Sequence, residues 1–267
     1  MNVHATNIFG GRLDRLSSLI ERFRVQADLV APDEAEARGA NFVVLRGADD
    51  ALRLVFVPNG SGDCAACDHF SVEESEALLV AAKIEIAGAG HHLVLALPRC
   101  ISVALVDAPD LRTVVSPLVE EVVQPRCGGQ AVFHRLAEVV VIRLLRHALE
   151  SDAADVGLLA GLSHPRLAAA LVAMHERPGV AWNLESLAAE AGMSRTQFAV
   201  TFKEVLGMTP GAYMSNWRLD IARAELESGV QVRAVARMCG FTSAAAFSRA
   251  FARRYGHAPK LERRKAV

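Results

Sequence analysis

The side chains in this 267-residue chain best suited to chemistry lie in Cys64-Ala65-Ala66-Cys67-Asp68-His69. Two thiols at C-x-x-C spacing with an imidazole two residues on suit a zinc ion or a thiol–disulfide couple. The thiolate is the reactive species in either case. Structural zinc takes four ligands, so His91, His92, Cys100 or Cys127 must complete a shell begun by Cys64, Cys67 and His69. A zinc site, a thiol switch that includes Cys127, and ordinary packing all remain open for these residues. Cys239 sits where a turn needs an apolar side chain and reads as core. A Gly-rich phosphate loop, a nucleophile elbow and a carboxylate pair are all missing from the sequence, which argues against an enzyme.

The elements that position these cysteines are β-rich. Leu13 to Val25 has the spacing of an amphipathic helix, with Leu13, Leu16, Leu19, Ile20 and Phe23 on one face. Short β-prone runs follow at Phe42–Leu45, Leu52–Val57, Leu93–Leu97 and Ile101–Val106, separated by Gly, Pro and Asp, as in a small antiparallel barrel or sandwich. Ser116-Pro117 then predicts a helix start, running to about Val123. Gln130 to Glu150 predicts a long helix whose apolar residues (Phe133, Leu136, Val140, Leu144, Ala148, with Val139, Val141 and Ile142 beside them) exceed one face. The surplus suits packing on the barrel and on a second subunit.

The last third carries a repeat. Gly192-Met193-Ser194 leads to Phe198 and Phe202, and about 48 residues later Gly240-Phe241-Thr242 leads to Phe247 and Phe251. Each turn follows a short apolar helix pattern and precedes another, the order of a helix-turn-helix DNA reader. Asn183 stands at an N-cap with Glu185 in the first turn. Gly192 supplies a positive φ, and Ser194 caps the second helix. Phe198, Phe202 and Leu206 face inward there. Arg195, Thr196, Gln197, Ala199, Val200 and Lys203 remain outside. In the second copy Phe247, Phe251 and Tyr255 face inward, leaving Ser248, Arg249, Arg253 and Arg254 for solvent or phosphate. Thr209-Pro210 opens a joining helix to about Ser228, ended by Gly229. Its nineteen residues span roughly 29 Å, near the ~34 Å of one DNA turn.

Three stretches carry a family resemblance: Leu184-Glu-Ser-Leu-Ala-Ala-Glu-Ala-Gly-Met-Ser-Arg195, Phe202-Lys203 with Gly207-Met208-Thr209-Pro210 and Tyr213, and Gly240-Phe241 with Phe247-Ser248-Arg249-Ala250-Phe251, Gly256 and Pro259. Over about residues 164 to 263 the chain resembles the AraC/XylS transcriptional regulators. The resemblance implies two joined helix-turn-helix units on promoter DNA, a signal-receiving partner domain, and no catalysis. It implies base contacts at Thr196, Ala199 and Val200, and at Ala244, Ala245, Ser248 and Arg249. With Arg195, Gln197, Lys203, Ser243 and Arg253 these complete the expected DNA-facing set. Ala199 and Val200 replace longer polar side chains common in relatives, but both can touch a thymine methyl. Arg249 is then the candidate for bidentate guanine readout, with Arg195, Lys203, Arg253 and Arg254 on phosphates. Ala258-Pro259 and Glu262 depart from the usual Ser-Pro and later Tyr.

The N-terminal half resembles the cupin-like sensor domain of one branch of these regulators, through element order, Leu97-Pro98 and Arg126-Cys127-Gly128-Gly129-Gln130. Metal cupins need His-x-His, whereas His91-His92 are adjacent, which argues against oxygenase chemistry. A repair-type protein whose zinc-bound cysteine accepts an alkyl group from DNA is the alternative reading, and it needs a tighter four-cysteine site than one spread over 63 residues.

Charge separates in the same way. Residues 164–267 hold 15 Lys and Arg against 8 Asp and Glu, net +7, and residues 1–163 hold 14 against 22, net −8. A basic domain beside an acidic one is the footprint of a nucleic-acid reader joined to a domain that does not bind it. The sequence therefore predicts an α+β protein: a cupin-like sensor and dimerisation domain at 1–150, a linker at 151–163, and a DNA-binding domain at 164–267. With no apolar run of membrane length and no leader pattern, the expectation is a cytoplasmic homodimer. Its expected partners are promoter DNA, RNA polymerase, and a small-molecule or redox effector.

Overall fold

The computed structural model describes residues 8–9, 12–35, 38–58, 76–88, 94, 97–151 and 156–264. In chain order the elements are β1 (Ile8–Phe9), β2 (Arg12–Leu13), α1 (Ser17–Ile20), β3 (Phe23–Val30), β4 (Phe42–Arg46), β5 (Leu52–Phe56), β6 (Ala77–Gly88) and β7 (Ile101–Ala104). Helices follow: α2 (Pro109–Val123), α3 (Gly129–Glu150), α4 (Leu158–Ser163), α5 (Leu167–Glu176), α6 (Leu184–Glu190), α7 (Arg195–Leu206), α8 (Pro210–Glu227), α9 (Val232–Met238), α10 (Ala244–Tyr255) and α11 (Pro259–Arg264). The chain is α+β and divides into two compact units. One comprises Arg24–Ile86 and Leu93–Ala154, the other Met1–Phe23, Ala87–His92 and Asp155–Val267.

The first unit is built on a five-stranded sheet in the order β3-β6-β4-β5-β7. β4 pairs antiparallel with β5 and with β6, and β5 with β7. The β4–β6 register shifts between Val44 and Leu45. Beyond the start of β4 the ladder is continued by a buried side chain: Asn41 Oδ1 accepts from Ile84 N at 2.7 Å, and its Nδ2 donates to Ile84 O at 2.8 Å. A buried amide bonded through both ends costs nothing in lost hydrogen bonds and fixes register. Val30, Ala40, Val43, Leu45, Val55 and Ala81 form one apolar cluster, with Cys100 packed against it.

Several sequence expectations are corrected here. The helix expected over Leu13–Val25 is only the single turn α1, capped by Asp14, whose Oδ1 accepts from Leu16 N at 3.1 Å and Ser17 N at 3.0 Å. That turn is enough to bury Leu16 and Leu19, and from Phe23 the chain extends into β3. Within Leu93–Leu97, expected as a strand, Val94 is helical and Leu97 lies in a bend. The helix expected to start at Ser116-Pro117 begins at Pro109, the position where a missing N–H is harmless. Pro117 falls inside it on an exposed face.

The second unit is helical. α1 packs on α5, so residues that the sequence groups with the N-terminal half sit with the C-terminal helices. At its centre His175 is fully buried between Tyr213 and Trp217, with ring centroids 5.8 and 4.8 Å away. His175 Nε2 shares a 2.6 Å hydrogen bond with the Tyr213 hydroxyl. Burial pushes the imidazole pKa down to about 3 and raises that of the Tyr213 phenol, so both stay neutral.

Candidate nucleic-acid interface

Two helix-turn-helix units stand at the ends of α8. In the first, Asn183 and Ser186 cap α6 reciprocally: Ser186 N donates to Asn183 Oδ1 at 2.8 Å and Asn183 N to Ser186 Oγ at 3.1 Å. Gly192 turns the chain at φ +61°. Ser194 Oγ accepts from Gln197 N at 3.3 Å to open α7. Phe198 and Phe202 are fully buried, with centroids 5.4 Å apart, and Phe202 meets Tyr213 of α8 edge-on at 5.7 Å. In the second, Gly240 turns at φ +73° and Ser243 Oγ accepts from Ala246 N at 3.1 Å to open α10. Phe247 and Phe251 are fully buried and 5.6 Å apart. Phenylalanines four residues apart on helices this short leave the opposite face outward.

That outward face holds most of the expected residues. Arg195, Thr196, Gln197, Val200 and Lys203 of α7 are exposed and Ala199 is half-buried. Ser243, Ala245, Arg249 and Arg253 are exposed, and Ala244 and Ser248 half-buried. Ser248 Oγ donates to Ala244 O at 2.8 Å within its own helix, leaving its lone pairs for an outside donor.

Arg254 is not on that face, contrary to its expected place on phosphate. Its Nη2 donates to Asp220 Oδ1 of α8 at 2.9 Å, and the Tyr255 hydroxyl donates to the same oxygen at 2.6 Å. Asp220 is buried. The spacing held the signal: residues 247, 251 and 254 share one helical face. Glu262, the departure near the C-terminus, is buried in α11 and accepts from Arg223 Nε at 2.6 Å, with His257 Nε2 3.1 Å away. This carboxylate ties α11 to α8. Arg218, which sequence reasoning passed over, donates from α8 to two backbone carbonyls of the loop between α5 and α6.

The thiols fall into different settings. Cys239 is fully buried beneath the second turn, and burial pushes its pKa up to about 12, so it is inert packing. Cys100 is half-buried against the sheet core, and Cys127 is exposed just before α3. Cys64, Cys67, His69, His91 and His92 lie outside the described residues. Among the described residues no three His, Cys, Asp or Glu side chains gather as a metal would require. No described helix is long and apolar enough to cross a membrane.

A helix-turn-helix domain family matches residues 187–265 and a cupin family matches residues 38–150. The RCS-specific HTH-type transcriptional activator RclR of Escherichia coli is 30% identical over 223 residues, covering 81% of this chain and 73% of its own. The chain belongs to the AraC-type helix-turn-helix transcriptional regulators. An uncharacterized HTH-type regulator of Haemophilus influenzae is 32% identical over 64% of this chain and 58% of its own length. The regulator AlkR of Acinetobacter baylyi is 34% identical over 54% and 47%. The match thus spans about half the length of these two relatives. All are regulators of transcription and not enzymes, and the cupin match gives the N-terminal sheet its family.

Proposed function

We propose that this protein binds promoter DNA as a homodimer in the cytoplasm, with α7 and α10 as its recognition helices. Thr196, Ala199 and Val200 read bases from the first, the two apolar side chains through thymine methyls. Ala244, Ala245, Ser248 and Arg249 read from the second, with Arg249 bidentate to a guanine. Arg195, Lys203 and Arg253 hold phosphates, with Gln197 and Ser243 at the helix starts beside them. The carrying observation is the pair of serine-capped helices, each fixed by two buried phenylalanines and each turning these side chains outward. The sheet unit provides the dimer contact and receives the signal, which alters how the DNA-binding units are presented, with RNA polymerase as the downstream partner. The thiol cluster of Cys64, Cys67 and His69, with Cys127, is the candidate receiver, through zinc or through oxidation.

The test is binding of the full chain, at fixed salt, to duplexes selected from a random pool and to scrambled versions. Arg249→Ala should cost about 1–3 kcal/mol, confined to one base position, and Arg253→Ala should weaken all sequences alike and lower the salt slope by about 1. Equal losses on matched and scrambled sites for Arg249→Ala as well as for Arg253→Ala would refute the roles. Repeating the measurement reduced, mildly oxidised, and with zinc or a chelator decides the signal: a shift abolished by Cys64→Ser or Cys67→Ser makes the cluster the sensor.

A further inference from the structure

The loop between α5 and α6 is tied to three elements at once. From α8, Arg218 donates through Nε to Pro178 O at 2.7 Å and through Nη2 to Val180 O at 2.6 Å. Toward the first helix-turn-helix, Arg177 pairs with Glu190 of α6 at 3.0 Å and lies 4.7 Å over the Trp182 ring. The Trp182 indole N–H in turn donates to Arg177 O at 3.1 Å. Toward the second, Gly179 meets the turn itself. A Cβ on Gly240 would stand 2.8 Å from Gly179 O, and one on Gly179 would stand 3.1 Å from Met238 O. Two glycines face each other backbone to backbone, the closest approach a chain allows.

The joining helix α8 is a rod of 18 residues. It sets the separation of the two motifs along its axis, and the side contacts each motif makes with it and with its neighbours set the twist between them. The braced loop supplies a second path from α6 to the second turn, and Arg218 pins that path to the rod. Twist matters because one base pair along B-DNA rotates the groove by about 34°. A pair of recognition helices held to well within that angle accepts one half-site spacing and rejects its neighbours.

We propose that Arg218 is a positioning residue that, through the 177–182 loop, fixes the angle between α7 and α10 and thereby sets the spacing of the DNA segments the protein accepts. This rests on the DNA-binding reading above, so its test has one arm without DNA. In that arm, nitroxides are attached through an introduced keto amino acid at positions 197 and 245 of the full chain, leaving the cysteines untouched. The distance distribution should be narrow in the parent protein, broad in Arg218→Ala, and intermediate in Arg218→Lys, which reaches one carbonyl at a time. In the second arm, one base pair is inserted or deleted between the two contacted segments of a selected duplex. That change should cost the parent about tenfold in affinity and Arg218→Ala less than about threefold, with binding to a single isolated segment the same for both.

An unchanged distance distribution in Arg218→Ala overturns the brace. A broadened distribution with the spacing penalty intact overturns its role in spacing, as does a uniform loss of affinity at every spacing. Should Arg218→Ala not fold, Arg218→Lys decides both arms. Failure of the parent protein to distinguish selected from scrambled duplexes defeats the DNA-binding reading instead, while the distances still decide the brace.

Discussion

Gly192 and Gly240 occupy matching turns with matching positive φ, yet alanine should be far worse at one than at the other. An L side chain in the left-handed region costs roughly 1–2 kcal/mol, partly offset by about 0.4–1 kcal/mol from a less flexible unfolded chain. At Gly192 nothing lies within 4 Å of the added Cβ, so Gly192→Ala should lose only about 0.5–1 kcal/mol. At Gly240 the Cβ meets Gly179 O at 2.8 Å and Gly179 Cα and C at 3.2 Å. Those are backbone atoms of a loop that Arg218 holds by two carbonyls, so relief requires stretching hydrogen bonds to a charged group, each contributing about 1.5–3 kcal/mol. Losing about one of them brings Gly240→Ala to about 3 kcal/mol. Both tryptophans, Trp182 and Trp217, lie in the helical unit, so urea unfolding followed by tryptophan fluorescence reports on that unit alone. The midpoint of Gly240→Ala should fall roughly 1 M below that of Gly192→Ala. Equal shifts, or a milder effect at Gly240, would refute the close approach and with it the braced loop.

Three further outcomes follow from single contacts. His175 stays neutral in the fold down to about pH 3, whereas in the unfolded chain it takes a proton below about 6.5. Stability is therefore full above pH 6.5 and falls as pH drops toward 3, by up to about 1.4 kcal/mol per unit. His175→Phe should flatten that slope between pH 4 and 6 in urea titrations, and an unchanged slope would place the proton elsewhere. Glu262→Ala should lower stability by about 2 kcal/mol through the lost hydrogen bond to half-exposed Arg223, and a thermal melt matching the parent's would contradict the buried pair. Ser243→Ala should cost about 1 kcal/mol through the lost cap on α10, visible as faster amide exchange at Ala246.

The helix-turn-helix units were legible because every local signal agreed. Asn183, Ser194 and Thr209 stood where caps are needed, the glycines where φ turns positive, and the phenylalanines four apart. The sheet unit was less so. β6 is written Ala-Leu-Leu-Val-Ala-Ala-Lys-Ile-Glu-Ile-Ala-Gly, largely from good helix formers, and its place between β3 and β4 in the sheet makes it a strand. β3 was hidden because the three-to-four spacing of Leu13 to Ile20 runs on into it through Phe23. Arg254 was misjudged, and the burial of Glu262 went unread, for a related reason. The charge of Arg254 suggested solvent or phosphate, and the partners that let these two side chains stay inside, Asp220 and Arg223, lie more than 30 residues away in sequence. Within the candidate interface the exposure of Arg195, Lys203, Arg249 and Arg253 was readable from periodicity. The tie of Arg218 to the loop was not, because carbonyl acceptors leave no mark in a sequence.

The seat of α1 on α5 has a consequence for how the chain is made. Leu16 and Leu19 leave the ribosome about 150 residues before the helix they are buried with. At about 5–20 residues per second, that interval is roughly 8–30 s. For that time Leu16 and Leu19 lack the helix that covers them, while the residues of the sheet unit, which come between in sequence, are being synthesised. Synthesis thus finishes the sheet unit before the DNA-binding unit gains its last piece, and a nascent-chain holdase has a defined segment and a defined interval in which to act.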